Sequence, residues 1–188
     1  YVSNVTVTLT ATDATSGVDK TYYRIDNGSW NTYTASFKIS TEGIHSLQYY
    51  SEDKAGNKEL VKNVTIKIDK TKPSVSIVTP EEKRIYIFGR SILRTFKRTI
   101  IIGKITVEAN ATDNLGIDIV KFYVDEEERG NATSPPYTWK WGGDFGRREL
   151  LVKAFDEAGL YESDTIDVTI FSLFKPREAE ASLSMDNN

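Results

Sequence analysis

The stretch Val-Thr-Val-Thr-Leu-Thr-Ala-Thr-Asp at residues 5–13 decides the fold, because apolar and polar side chains alternate along it. Successive side chains of a β-strand point to opposite faces, so Val5, Val7, Leu9 and Ala11 are predicted to face a core from one strand. Further short alternating runs follow between turn residues, and we expect no helix before the C-terminal end. Repeated short strands of this kind are typical of a β-sandwich.

The pattern returns about one hundred residues later, so the chain contains an internal repeat. Ala-Thr-Asp at 11–13 recurs at 111–113, and Tyr-Arg-Ile-Asp at 23–26 corresponds to Phe-Tyr-Val-Asp at 122–125. Self-similarity at a fixed offset indicates one supersecondary unit used twice. The predicted fold class is therefore all-β, with two tandem β-sandwich domains.

Pro73 marks the predicted boundary between the two copies, because proline cannot donate a backbone hydrogen bond and biases the residue before it toward an extended conformation. The predicted segments are a first domain at 1–69, a linker at 70–73, a second domain at 74–174 with an insertion at 81–104, and a tail at 175–188.

The first copy starts one strand later than the second. Ser-Val-Ser-Ile-Val at 74–78 precedes the Ala-Thr-Asp strand of the second copy, whereas Tyr1 stands just ahead of that strand in the first. We therefore expect the first domain to lack its first strand and to have an uncovered strand edge, which can pair with another chain. The expected occupant is an upstream segment or an extended segment of a neighbouring subunit.

Composition excludes several functional classes. The 188 residues include no cysteine and one histidine, which rules out thiol nucleophiles, disulfides and Cys/His zinc clusters. A net charge of −3 provides no overall basic field for nucleic acid. The longest aliphatic run is three isoleucines at 100–102, so we predict no membrane span.

The succession of motifs resembles a known family. The strand ending in Ala-Thr-Asp, the aromatic strand ending in Asp, Gly-x-His-x-Leu at 43–47 and Asp-x-Ala-Gly at 53–56 are similar to tandem Ig-like domains of bacterial and archaeal cell-surface and secreted multidomain proteins. The likeness covers residues 1 to about 172, and residues 86–103 resemble an insertion of archaeal surface repeats. The resemblance implies a scaffold without a cofactor, and this fold hosts many unrelated sites.

His45 is the only residue that could serve a Ser-His-Asp triad, with Ser46 and Asp53 close in sequence. Adjacent strand residues point to opposite faces, so Ser46 cannot meet His45. The second copy has Arg148 at the corresponding position. We therefore predict a structural histidine, no catalytic residue and no enzymatic activity.

Aspartates gather at the turns of both copies. Oxygen ligands from adjacent loops are what Ca²⁺ requires, so a calcium site is one interpretation. Turn capping by the carboxylates is the other, and we favour it because the dense acidic spacing of a dedicated calcium loop is missing. No metal is therefore predicted. The residues concerned are Asp13, Asp53, Asp113 and Asp156.

Two further features are candidate interaction surfaces. Tyr137, Trp139 and Trp141 share a strand face and could stack on sugars, although core packing is the favoured account, with Trp139 the most exposed. The insertion has no acid from Lys83 to Lys104, and we expect a basic β-hairpin that binds an acidic neighbour or an anionic polymer, or that is merely solvated. Its candidate contact residues are Arg90, Arg94, Lys97 and Arg98.

Asn-x-Ser/Thr sequons exceed the roughly two expected by chance, and they occupy outward strand positions or turns, where a glycan fits. They lie at Asn4, Asn27, Asn63, Asn110 and Asn131. These features together favour a structural or adhesive segment of a prokaryotic, and by its insertion archaeal, extracellular surface protein, such as a surface layer or filament. Other domains, neighbouring subunits or envelope polysaccharide are the expected partners. The alternative is a carbohydrate-binding or spacer module of a secreted hydrolase.

Overall fold

The computed structural model describes residues 1–172 as two compact units made of β-strands and turns. Within these residues, no helix is long and apolar enough to cross a membrane. The tail predicted at 175–188 lies outside the described residues. Unit one comprises Tyr1–Lys72 with the turns Asp113–Gly116 and Asp156–Leu160, and unit two comprises Pro73–Thr112, Ile117–Phe155 and the described residues from Tyr161 onward.

Unit one contains a four-stranded sheet of order β3-β2-β5-β6 and a two-stranded sheet of β1 and β4. Its strands are β1 (Val5–Val7), β2 (Val18–Ile25), β3 (Asn31–Thr32), β4 (Phe37–Ile39), β5 (Gly43–Asp53) and β6 (Lys62–Ile68). Both sheets contribute to one apolar cluster, whose buried members are Val7, Ile39, Leu47, Ile66 and Ile68. Burial of this kind is the main favourable term in folding.

Unit two contains a three-stranded sheet of order β14-β11-β7 and a seven-stranded sheet of order β13-β12-β15-β16-β10-β8-β9. Its strands are β7 (Ser74–Thr79), β8 (Arg84–Ile87), β9 (Arg90–Arg94), β10 (Thr99–Ile102), β11 (Ile105–Thr112), β12 (Ile117–Val124), β13 (Glu127–Ala132), β14 (Tyr137–Trp141), β15 (Phe145–Asp156) and β16 (Tyr161–Phe171). Phe122, Trp141 and Leu150 are almost fully buried in its core. The prediction of two β-sandwich domains is confirmed.

The first strand of unit one is shorter than predicted. β1 ends at Val7, and Leu9 and Ala11 lie outside it although they keep the apolar phase. The equivalent strand β11 continues to Thr112, because its second half pairs with β7. β1 pairs with β4, but no strand among the described residues pairs with residues 8–12. The alternation was therefore interpreted correctly, but a strand also needs a hydrogen-bonding neighbour.

The basic insertion contains the predicted hairpin and also widens the main sheet. β8 and β9 are antiparallel and turn at Phe88 and Gly89, which have φ angles of 47° and 78°. β10 pairs in parallel with both β8 and β16. Ile101 of β10 is fully buried, and Tyr86 of β8 is 3% exposed. Only part of the insertion is therefore an appended hairpin, because other apolar residues of the insertion pack into the core of unit two.

Candidate functional site

Three aspartates of unit one gather at one place. Asp69 follows β6, and Asp113 and Asp156 begin the two turns that belong to this unit. Each offers one carboxylate oxygen, and these three oxygens lie within 4.8 Å of one another. Asp69 is 3% exposed and Asp156 is 2% exposed, while Asp113 is partly buried. Carboxylates brought together with so little solvent repel one another unless something compensates their charge.

The turns hold one oxygen of each turn aspartate and leave the other free. Oδ1 of Asp113 accepts hydrogen bonds from turn amides, the shorter from Leu115 at 2.8 Å. Oδ1 of Asp156 accepts from Ala158 at 2.8 Å and from Leu160 at 2.9 Å. The Oδ2 atoms of both aspartates are buried and have no hydrogen-bond partner among residues 1–172. Buried polar atoms in native proteins are nearly always satisfied, so these two oxygens call for an explanation.

The first copy of the repeat shows how such oxygens are normally satisfied. Oδ2 of Asp53, the counterpart of Asp156, accepts hydrogen bonds from Ser16 Oγ at 2.9 Å and from Asn57 Nδ2 at 2.8 Å. The hydrogen bonds from Asn57 and Ser16 lower the pKa of Asp53 to about 2. In the second copy, Leu115 stands next to the turn glycine in place of Ser16, and Leu160 stands in place of Asn57. The side-chain donors have been replaced by groups that cannot donate.

Asp69 and its neighbour Glu42 differ in how they are satisfied. Glu42 accepts hydrogen bonds from the amide of Lys70, the hydroxyl of Thr71 and the side chain of Asn114, which lower its pKa to about 2. Burial raises the pKa of Asp69, and the charges of Asp113 and Asp156 raise it further. A largely buried site with several negative charges favours binding of a proton or a cation.

The four aspartates considered in the sequence analysis therefore do not form one site. Asp13 and Asp53 cap turns, as favoured, and share the hydroxyl of Ser16. Asp113 and Asp156 also cap their turns but join Asp69, which sequence reasoning missed. The replacement of two donors by leucine between the copies is the signal that could have found this cluster.

His45 is 8% exposed and occupies a structural position. Its Nδ1 lies 2.8 Å from Asp26 Oδ2, and its Nε2 lies 2.9 Å from the carbonyl oxygen of Thr41. Both ring nitrogens face acceptors, so only the doubly protonated imidazolium donates to both, and the hydrogen bond to Asp26 raises the pKa of His45. The hydroxyl of Ser46 donates instead to Asn63. The geometry therefore separates His45 from Ser46.

Arg148 takes over the position of His45 in the second copy. Its Nε lies 3.3 Å from Asp125 Oδ2, as His45 lies beside Asp26. Asp125 Oδ1 accepts the amide of Glu149, just as Asp26 Oδ1 accepts the amide of Ser46. The repeat thus keeps a cation–carboxylate pair that ties the turn after β2 or β12 to the neighbouring strand of the sheet, β5 or β15, while the type of cation changes.

The aromatic row of β14 is part of the core of unit two. Tyr137 and Trp141 are 6% and 1% exposed. Trp139 is partly buried and stacks on Phe122 and Trp141, with ring centroids 6.0 Å and 5.9 Å away. Cδ1 of its ring lies 2.3 Å from the position that a Cβ atom on Gly130 would take. The row is therefore engaged in packing, and Trp139 is its most exposed member.

The basic surface and the sequons are accessible. Arg90, Arg94, Lys97 and Arg98 are exposed, and so is the apolar side chain of Phe96, which precedes Lys97 in the chain. All five sequon asparagines are exposed as well, at Asn4, Asn27, Asn63, Asn110 and Asn131. Their positions fit the roles expected from the sequence, which stay predictions.

Residues 73–150 match the family model of the bacterial Ig domain. The resemblance of the second copy to this family is therefore confirmed. Modules of this type are non-catalytic β-sandwiches and are typical of surface or secreted multidomain proteins. No curated protein sequence matches the chain.

Solved structures with a similar chain fold include fibronectin(III)-like modules of Clostridium thermocellum CbhA, at 20% identity, a TM-score of 0.47, and coverage of 98% of this chain and 92% of that one. The central fibronectin-III array of RIM-binding protein is similar at 10% identity and a TM-score of 0.30, with coverage of 95% and 68%.

Proposed function

We propose that the chain is a non-enzymatic structural and adhesive segment of an extracellular prokaryotic surface protein, and that its first unit receives a β-strand from a neighbouring segment. The observation that carries this proposal is that residues 8–12 pair with no strand in the described range 1–172. Unpaired main-chain groups at a strand edge are a template for strand addition.

The second copy supplies the geometry that strand addition would take. Within β11, Ala109 is paired with Ile77 and Ala111 with Val75, both of which pack against the core. The corresponding residues of the first copy are Leu9 and Ala11, which are only partly buried. A strand with apolar residues at alternate positions would satisfy the open amides and cover both side chains. A segment of an adjacent subunit in this position would turn a spacer into a polymer-forming element.

Accessible features of the chain support the adhesive and extracellular parts of the proposal. Five exposed sequons leave room for glycans, and the exposed Arg and Lys side chains of residues 90–98 suit an anionic envelope polymer or an acidic neighbour. The archaeal part of the proposal rests on the resemblance of residues 86–103 to an insertion of archaeal surface repeats. The alternative of a carbohydrate-binding module has less support, because Trp139 stacks within the core.

The test is to supply the strand and measure the stability of unit one. A copy of residues 73–80 is joined ahead of Tyr1 through a flexible linker of about ten Gly and Ser residues, which gives it a high effective concentration. The control fusion has proline at the two positions of the added copy that derive from Ser74 and Ser76. In β7 the amide of Ile77 donates to Asp164, so the alternate amides of Ser74 and Ser76 are the ones that face β11, and proline there cannot donate to the ladder. The melting transition of unit one should rise in the first fusion alone, and equal melting of the two fusions would refute strand addition.

A further inference from the structure

The aspartate cluster contains a buried carboxylate oxygen with nothing to satisfy it. Asp156 is 2% exposed, and its Oδ2 makes no hydrogen bond within the described part of the chain. Oδ1 already accepts two turn amides, so Oδ2 is the atom left for contact with the cluster. The nearby lysines are engaged elsewhere, because Lys67 pairs with Glu157 and Lys70 donates to Asn4 and Ser40. A buried ionised oxygen in this state is strongly unfavourable unless a cation or a proton compensates it.

The spacing of the oxygens suits a calcium ion. Calcium takes six to eight oxygens at about 2.3–2.6 Å, so two of its ligands can lie apart by up to about twice that distance. The three oxygens of Asp69, Asp113 and Asp156 fall within 4.8 Å of one another, inside that limit. Asp69 also lines a surface pocket of about 390 Å³ with Leu115 and Ala158, which provides access for an ion and for the water ligands that complete its shell.

We propose that Asp69, Asp113 and Asp156 bind one calcium ion in unit one. This assignment explains the difference between the copies of the repeat. In the first copy, Ser16 and Asn57 satisfy the second oxygen of Asp53 by hydrogen bonds. In the second copy those donors are absent, and the ion takes their place. The inference is independent of strand addition at residues 8–12.

The chain offers a matched pair of substitutions for the test. Asp156→Asn keeps an oxygen that can accept the amides of Ala158 and Leu160 but replaces Oδ2 with a nitrogen that cannot bind calcium. Asp53→Asn is the control, because Asp53 caps the equivalent turn through the amides of Ala55 and Asn57 and lies outside the cluster. Each full-length protein is stripped with chelator and titrated with CaCl₂ by isothermal calorimetry. The expected result is one site in the wild type, unchanged affinity in Asp53→Asn and at least tenfold weaker binding in Asp156→Asn.

Thermal melting gives a second readout, because the order of the melting temperatures of the wild type and Asp156→Asn should reverse between chelator and calcium. In chelator, Asp156→Asn should melt at or above the wild-type temperature, because the substitution removes one of three repelling charges. In millimolar CaCl₂ the wild type should melt higher, since the ion binds its native state. MgCl₂ should have a smaller effect, because Mg²⁺ requires near-octahedral ligands and gives up water reluctantly. Absence of saturable calcium binding, equal loss of affinity in Asp53→Asn, or equal effects of the two cations would overturn the assignment.

Discussion

Truncating one buried leucine in each unit tests the assignment of the two cores. Leu150 of β15 is fully buried in a core with 17 buried members, and Leu47 of β5 is 4% exposed in a cluster with five. Leucine-to-alanine changes in packed cores cost about 2–5 kcal/mol, and the cost is higher where the surroundings cannot collapse into the space. We expect a loss of about 3–5 kcal/mol for Leu150→Ala and about 2–3 kcal/mol for Leu47→Ala.

Chemical denaturation of the full chain, followed by tryptophan fluorescence and circular dichroism, measures these losses. Each substitution should shift mainly the transition of its own unit. Ile44→Ala is the control on β5, because Ile44 is 59% exposed and its loss should change the free energy of unfolding by no more than about 0.5 kcal/mol. A loss below about 1 kcal/mol for both leucines would show that the assignment of strand faces is wrong.

Three further predictions concern single positions. Because the pKa of His45 is raised and that of Asp26 is lowered, their pairing is fully present near pH 5–6 and is lost as the pH rises through the folded pKa of His45. The difference in melting temperature between the wild type and Asp26→Asn should therefore shrink from pH 5.5 to pH 9, and a difference that widens would contradict this. Gly130→Ala should cost about 1–3 kcal/mol, because its Cβ would lie 2.3 Å from Cδ1 of the rigid Trp139 ring. In the control Gly142→Ala the nearest atom is Cγ of Lys104 at 2.8 Å, in an aliphatic chain that can rotate away, so the cost should be smaller, and equal costs in urea denaturation would be evidence against this packing. Phe96→Ser should leave the melting temperature nearly unchanged, since Phe96 is 99% exposed, and a clear drop would mean that this side chain packs.

The sequence predicted most of the fold because strand periodicity is a local signal. Apolar and polar residues alternate through residues 105–112, and every apolar residue of β11 is buried. The same alternation overestimated β1, since it reports which face of a strand is apolar and carries no information about whether a partner is present. The segment from β8 to β10 shows a second limit. Its basic residues suggested an appended hairpin, while the long-range parallel pairing of β10 with β16 has no local signature.

The candidate site was only half predictable. Asp113 and Asp156 stood out because they recur at equivalent turns of the repeat. Asp69 did not, because a single aspartate after a strand is normally a turn residue, and its proximity to the others depends on tertiary structure. Comparing the donors around each turn, rather than the aspartates alone, would have shown that two carboxylate oxygens needed another partner.

The central claim is that unit one has an open strand edge. Hydrogen–deuterium exchange at residues 8–12 tests this claim most directly. The amides at 109–112 lie in a strand paired with β7 and should exchange slowly, whereas those at 8–12 should exchange rapidly in the chain at monomeric concentration. Joining the copy of residues 73–80 ahead of Tyr1 should slow exchange at 8–12, and the proline-containing copy should not. Slow exchange at 8–12 in the chain alone, or no slowing in the fusion, would contradict the account.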